Sequence, residues 1–404
     1  MDIKKFYGSR LRNARQFRGL GLIELANRVG ISKQSLSLYE NGDNTPPYEN
    51  VLLLAKELEF PYEFFLYDDK CKTITENIYF RSQASAGKKE RLAQSVKLEY
   101  VAKMYEILID YVDFPELNLP NVDFIGNDDP LEMDSPEVLR EIENIADGVR
   151  EHWGLGRGPI NRLQYALEEH GLIVTGFQLN ESKIDAFSQR IRTKQGTNVF
   201  IIALALGSKP IERLNLDMAH ELGHIILHPW GESIDLLEKA EFNGREKQAN
   251  IFASSLMLPR DTFGDDVKMY PTDLTYYQFL KKKWKMSMQA MMYRAHQLGI
   301  ISTNQYQYMM RQVSKNGWRM HEPGDEPGDI NDTVFQGAID ILFAEKIMDA
   351  KSLLRIFKQY GIILSIKDIE DLLHLRKGTI EIKDNIVPLI RVKSIDDRLN
   401  NAEV

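Results

Sequence analysis

The chain has 404 residues, 43% of them hydrophobic and 27% charged, with a formal net charge of -8. That length predicts two or three domains, the composition excludes a wholly disordered chain, and the acidic balance excludes a protein that coats nucleic acid along its whole length. A single cysteine, Cys71, excludes an intrachain disulfide. With no secretory-type apolar run near the N-terminus and no stretch approaching about 18 apolar residues, a cytoplasmic protein without a membrane partner is expected.

Residues 1–68 read as a compact helical unit. Phe6, Leu11, Ala14 and Phe17, then Leu22, Leu25 and Ala26, recur at helical spacing. Gly30 breaks the pattern, Ser32 offers an N-cap for the next helix, and Asn41-Gly42 closes it. Residues 1–33 hold eight Lys or Arg (Lys4, Lys5, Arg10, Arg12, Arg15, Arg18, Arg28, Lys33) against Asp2 and Glu24, a local excess suited to phosphates. The segment GLIELANRVGISKQSLSLYENGDNTPP resembles the repressor-type helix-turn-helix of the XRE family. The resemblance implies binding to double-stranded DNA, with Lys33, Gln34 and Ser37 facing the major groove. It gives Glu40 a structural part. Leu22 stands where many members carry a backbone-touching glutamine, which leaves weaker binding or a protein-interaction module as alternatives.

Residues 69–133 read as a linker, least structured at RSQASAGKK, followed by an amphipathic helix. Leu92, Val96, Tyr100, Met104 and Leu108 at i, i+4 steps need a covering surface, either another domain or a second copy in a homodimer. Residues 134–260 form the next domain, with helices near 136–153 and 160–170 and strands at 172–177 and 198–204. A helical, methionine-rich extension runs from 261 to 328. Residues 329–404 read as short helices with a strand candidate near 379–391.

The strongest signal is His220-Glu221-Leu222-Gly223-His224. On a helix, histidines four apart share a face about 6 Å apart along the axis, so both can reach one Zn²⁺. Glu221 sits where a carboxylate can take a proton from metal-bound water. A catalytic zinc takes a third protein ligand. His228 lies too far along a straight helix, about 12 Å from His220, and no glycine turns the chain between His224 and His228. A carboxylate from a following helix is preferred, with Glu246 of GREKQANIFASSLMLP first and Glu241 and Glu238 as alternatives. Arg213, His228, His296 and several tyrosines are candidate oxyanion donors.

The segment from about Leu139 to Pro259 resembles the ImmA/IrrE metallopeptidases, through WGLG and GPI at 153–160, Arg213 with AHELGHIILH, and EKQANIFASSLMLP. The resemblance implies that His220, His224 and Glu246 bind zinc and that Glu221 is the catalytic base. It also implies a transcriptional repressor or similar regulator as the protein substrate.

The expected fold is mainly α and multidomain: a helix-turn-helix unit, an α+β zincin-like peptidase domain with a small sheet, and a helical C-terminal region. The expected function is a regulatory zinc endopeptidase fused to a DNA-binding domain. The alternative is a transcription regulator whose zinc domain senses or binds without proteolysis. The separate-substrate reading is preferred to self-cleavage around Arg81–Lys89.

Overall fold

The computed structural model describes residues 5–68, 74–80, 87–124, 133, 135–178, 185–207, 209–230, 237–330 and 332–382. Cys71, most of the expected exposed connector and residues 383–391 of the C-terminal strand candidate lie outside them; residues 379–382 form a turn and irregular chain, not a strand.

Four helices, α1 (Gly8–Phe17), α2 (Leu22–Val29), α3 (Lys33–Asn41) and α4 (Tyr48–Leu58), make the N-terminal unit, completed by a 3₁₀ turn at Tyr62–Leu66. Gly30, at φ 69°, reverses the chain between α2 and α3 in a conformation that side chains resist. Ser32 then caps α3, its hydroxyl accepting from the Ser35 N–H at 3.0 Å. Leu11, Ala14, Leu25, Leu36 and Leu54 close the core. Glu40 is buried, gripped by the Arg15 guanidinium at 2.6 and 2.8 Å.

Strand β1 (Ile74–Phe80) leads to α5 (Lys88–Leu108). The amphipathic pattern seen for α5 understates its burial: residues 100–108 are all enclosed, although Leu92 is exposed. Its covering surface is this same chain, with α1 on one side and Tyr100 donating to Asn13 Oδ1 at 2.6 Å.

The central part comprises α6 (Pro136–His152), α7 (Leu163–Glu169), β2 (Leu172–Gln178), β3 (Ala186–Arg192), β4 (Asn198–Leu206), α8 (Ile211–Leu227) and α9 (Lys239–Met257). The extension adds α10 (Thr262–Lys268), α11 (Leu274–Trp284), α12 (Met288–Gln297) and α13 (Thr303–Lys315), and the C-terminal part α14 (Val334–Ala344), α15 (Ala350–Gln359) and α16 (Ile366–Leu372). The fold is mainly helical, with a mixed sheet of order β1-β3-β4-β2: β3 is antiparallel to β1 and β4, and β2 is parallel to β4.

The sheet separates two cores. Ile173, Phe177, Phe187, Ile191 and Ile201 face the N-terminal unit, α5 and α14–α16. Leu172, Val174, Phe200, Ile202 and Leu204 face α6, α8, α9 and the methionine-rich helices, where Met286, Met288, Met291, Met292 and Met309 are buried. Both faces of β4 are therefore covered, which is why it reads as an unbroken apolar run rather than an alternating one. Among the described residues no helix is long and apolar enough to cross a membrane.

Candidate metal centre

α8 carries the HELGH motif through the interior, with His220, Glu221 and His224 all buried. α9 crosses it at Gly223. A Cβ there would lie 3.1 Å from the Ala249 Cα and 3.2 Å from its carbonyl oxygen, so the missing side chain lets the two helices approach closely. That approach brings Glu246, one turn before Ala249, onto the histidines. Glu246 Oε1 is 3.2 Å from His224 Nε2, and its Oε2 is 3.5 Å from His220 Nε2. The ligand atoms of the three residues lie within 4.8 Å of one another.

Hydrogen bonds behind the two imidazoles fix their protons. Asn250 donates through Nδ2 to the Glu246 carbonyl at 2.8 Å, so its Oδ1, 3.2 Å from His220 Nδ1, accepts. His220 therefore carries its proton on Nδ1. On the other side Gln248 donates to the Met133 carbonyl at 3.1 Å, leaving its Oε1 to accept from His228 Nε2 at 3.0 Å. His228 is fully enclosed, and burial first, then the neighbouring His224, holds its imidazole well below the ordinary value. Neutral and protonated on Nε2, it accepts through Nδ1 from His224 Nδ1 at 2.9 Å.

Both Nε2 atoms are then bare, and they face each other at 3.0 Å. Two lone pairs at that distance, with a carboxylate beside them, repel unless a cation lies between. Two nitrogens bound to one zinc at roughly 2.0–2.1 Å in tetrahedral geometry would be about 3.3 Å apart, close to this separation. The donor set fits a divalent metal.

Glu221, between the two histidines in sequence, reaches the sheet. Ser188 on β3 donates its hydroxyl to Glu221 Oε2 at 2.6 Å. The alternatives for a third ligand are placed otherwise: Glu238 is exposed just before α9, and Glu241 holds Arg245 at 2.6 Å. Of the oxyanion candidates, His228 is occupied behind His224, Arg213 pairs with Asp185 and Asp217, and His296 contacts Thr303.

Sequence reasoning missed Ser188, Asn250 and Gln248. Asn250 follows Glu246 by four positions on the same helix face, a signal that spacing carries. Ser188 carries no such signal, because AFSQRIR mixes polar and apolar residues without a strand's regular alternation.

At the other end, Lys33 and Gln34 stand exposed at the start of α3, and Ser37 is half-buried one turn on. Three of the basic residues expected to serve phosphates do not face solvent freely. Arg10 is buried and bonded to the Gly361 carbonyl, Arg15 holds Glu40, and Arg18 holds Asp368.

An α+β domain around a two-histidine, one-carboxylate centre, joined to a helix-turn-helix unit, defines a metallopeptidase-type domain with a DNA-binding module. Comparison with known families agrees: residues 167–296 match the IrrE N-terminal-like domain, a peptidase family, and residues 8–67 match a helix-turn-helix domain. The chain thus carries an IrrE N-terminal-like domain and an N-terminal helix-turn-helix domain. No protein of curated function matches it.

Proposed function

We propose that this protein is a cytoplasmic zinc endopeptidase that cuts a transcriptional regulator, and that its helix-turn-helix unit binds double-stranded DNA. The observation that carries this reading is the pair of bare Nε2 atoms 3.0 Å apart beside Glu246. His220, His224 and Glu246 would hold the metal. Bound there, zinc would supply Lewis-acid polarisation of a peptide carbonyl and a lowered pKa for its water. Glu221 is the base: its carboxylate takes a proton from the attacking water and returns it to the leaving amine. Ser188 keeps that carboxylate aimed by donating to Oε2.

The units proposed are residues 1–68 for DNA, 69–133 as the joining segment, 134–260 for proteolysis with a helical extension to 328, and 329–404 as a C-terminal region. The regulator cut is a separate protein. The second reading, a zinc-bound sensor without proteolysis, draws support from the complete burial of Glu221.

Glu221→Gln separates the two. It should keep one zinc per chain and the wild-type melting behaviour while cleavage falls by about 10²-fold or more. The cellular substrate is the protein that shortens with wild type and not with the variant. Undiminished cleavage by Glu221→Gln would sink the assignment of the base.

A further inference from the structure

Strand β1 belongs to neither matched domain. The helix-turn-helix match ends at residue 67 and the IrrE-like match begins at 167, while β1 spans Ile74–Phe80. The matched peptidase domain contains β2, β3 and β4, and among those three β3 is an edge. An edge strand offers a row of backbone N–H and C=O groups that an extended polypeptide can pair with.

β3 is also the strand that reaches the base, through Ser188 and Glu221. In the β1–β3 register Tyr79 lies opposite Ser188, with Ile78 opposite Gln189 and Phe80 opposite Phe187. Adjacent strands lie about 4.8 Å apart, so the backbone at residue 79 runs one strand spacing from the residue that holds Glu221. The other edge, β2, is separated from β3 by β4, and its Thr175 hydroxyl donates to the Leu372 carbonyl at the end of α16.

We infer that residues 74–80 keep the enzyme latent, occupying the outer edge of β3 as a built-in competitor for an extended polypeptide. The inference rests on the peptidase reading and adds its latency. The ligand class is an unfolded or extended polypeptide, recognised first through its backbone. The pairing suits a displaceable occupant. The register slips between Thr75 and Ile78, leaving five paired positions, whereas β3 pairs with β4 at seven without a break. What keeps so irregular a strand in place is its tether, because an attached segment competes at an effective concentration on the order of millimolar.

The test uses the zinc-loaded full chain carrying Glu221→Gln, so that nothing is cut, with fluorescein-labelled casein as an unfolded polypeptide probe. Ile78→Pro and Tyr79→Pro are compared with that parent. Successive residues of an antiparallel strand direct their N–H groups alternately toward and away from the partner, so one of the two prolines removes a ladder donor. That variant should bind casein about ten-fold or more tightly than the parent. In the same variant the β3 amides that face β1, every second one among residues 187–192, should lose protection from hydrogen exchange while those bonded to β4 keep it. Casein binding no tighter than the parent's, with β3 released, overturns the inference, as does a parent whose β1-facing β3 amides already exchange freely. If the prolines prevent folding, Ile78→Gly with Tyr79→Gly weakens the strand for the same comparison. Absence of Glu221-dependent casein cleavage by the released chain would instead count against the peptidase reading, leaving the binding comparison intact.

Discussion

Arg18 and Asp368, 350 positions apart, form a two-point ion pair, with Nη1 2.7 Å from Oδ1 and Nη2 2.8 Å from Oδ2. Arg18 also donates to the Leu58 and Glu59 carbonyls at the end of α4, so one side chain ties the helix-turn-helix unit to α16. A two-point pair with limited exposure is worth more than a surface contact. A double-mutant cycle of Arg18→Met and Asp368→Asn, read by denaturant unfolding, should give a coupling of about 1–2 kcal/mol. Additive effects would mean that the two parts are not held here.

Metal affinity should follow the arrangement around the histidines. His220→Ala and Glu246→Ala should lose stoichiometric zinc, as metal analysis after gel filtration would show. His228→Ala and Gln248→Ala should keep it while binding about 10–100-fold more weakly in chelator competition, because they only fix the proton of His224. Glu238→Ala and Glu241→Ala should match wild type. A Glu246→Ala protein at full occupancy beside an empty Glu241→Ala or His228→Ala would refute this ligand set.

The fold should also carry a pH dependence unrelated to the metal. Glu168, at the end of α7, accepts from the Val334 N–H at 3.1 Å, and burial pushes its carboxyl up to about 7. A carboxyl raised on folding favours the native state fully below its ordinary value of 4.5, and that contribution is lost as pH rises through about 7. Glu168→Gln keeps an acceptor without a charge. It should equal wild type near pH 4.5 and exceed it at pH 8.5 by up to about 3 kcal/mol. Denaturant midpoints at the two pH values decide this; a difference independent of pH contradicts it.

DNA contact should fall on few charges. With Arg10, Arg15 and Arg18 committed internally, Lys33→Ala should weaken duplex binding and reduce the salt slope by about one. Gln34→Ala should lower discrimination between sequences with the slope unchanged. Anisotropy with DNA from upstream of its own gene tests both. Absence of binding at low salt would favour the interaction-module alternative raised by Leu22.

Much of this architecture was legible because it is local. Ser32 and Gly30 punctuate the helices, His220 and His224 share a helical face, and NVFIIAL announces a strand buried on both sides. What stayed hidden depends on distant partners. Arg10 and Arg18 looked like phosphate contacts because their acceptors, Gly361 and Asp368, lie at the other end of the chain. β3 has a strand's burial without a strand's composition, since Ser188 and Arg190 face polar partners, and β1 exists as a strand only by pairing with it.

The packing of α5 and α16 against the N-terminal unit has a consequence for any cut between residues 80 and 87. Peptide-bond scission there would divide the chain without parting its pieces. The shorter fragment would still be clasped by α5 through Tyr100 and Asn13 and by the C-terminal region through Arg10 and Arg18. A nicked protein would therefore run as two bands under denaturing conditions and as a single full-size particle under native ones. Releasing the DNA-binding unit would require unfolding the interface as well as breaking the chain.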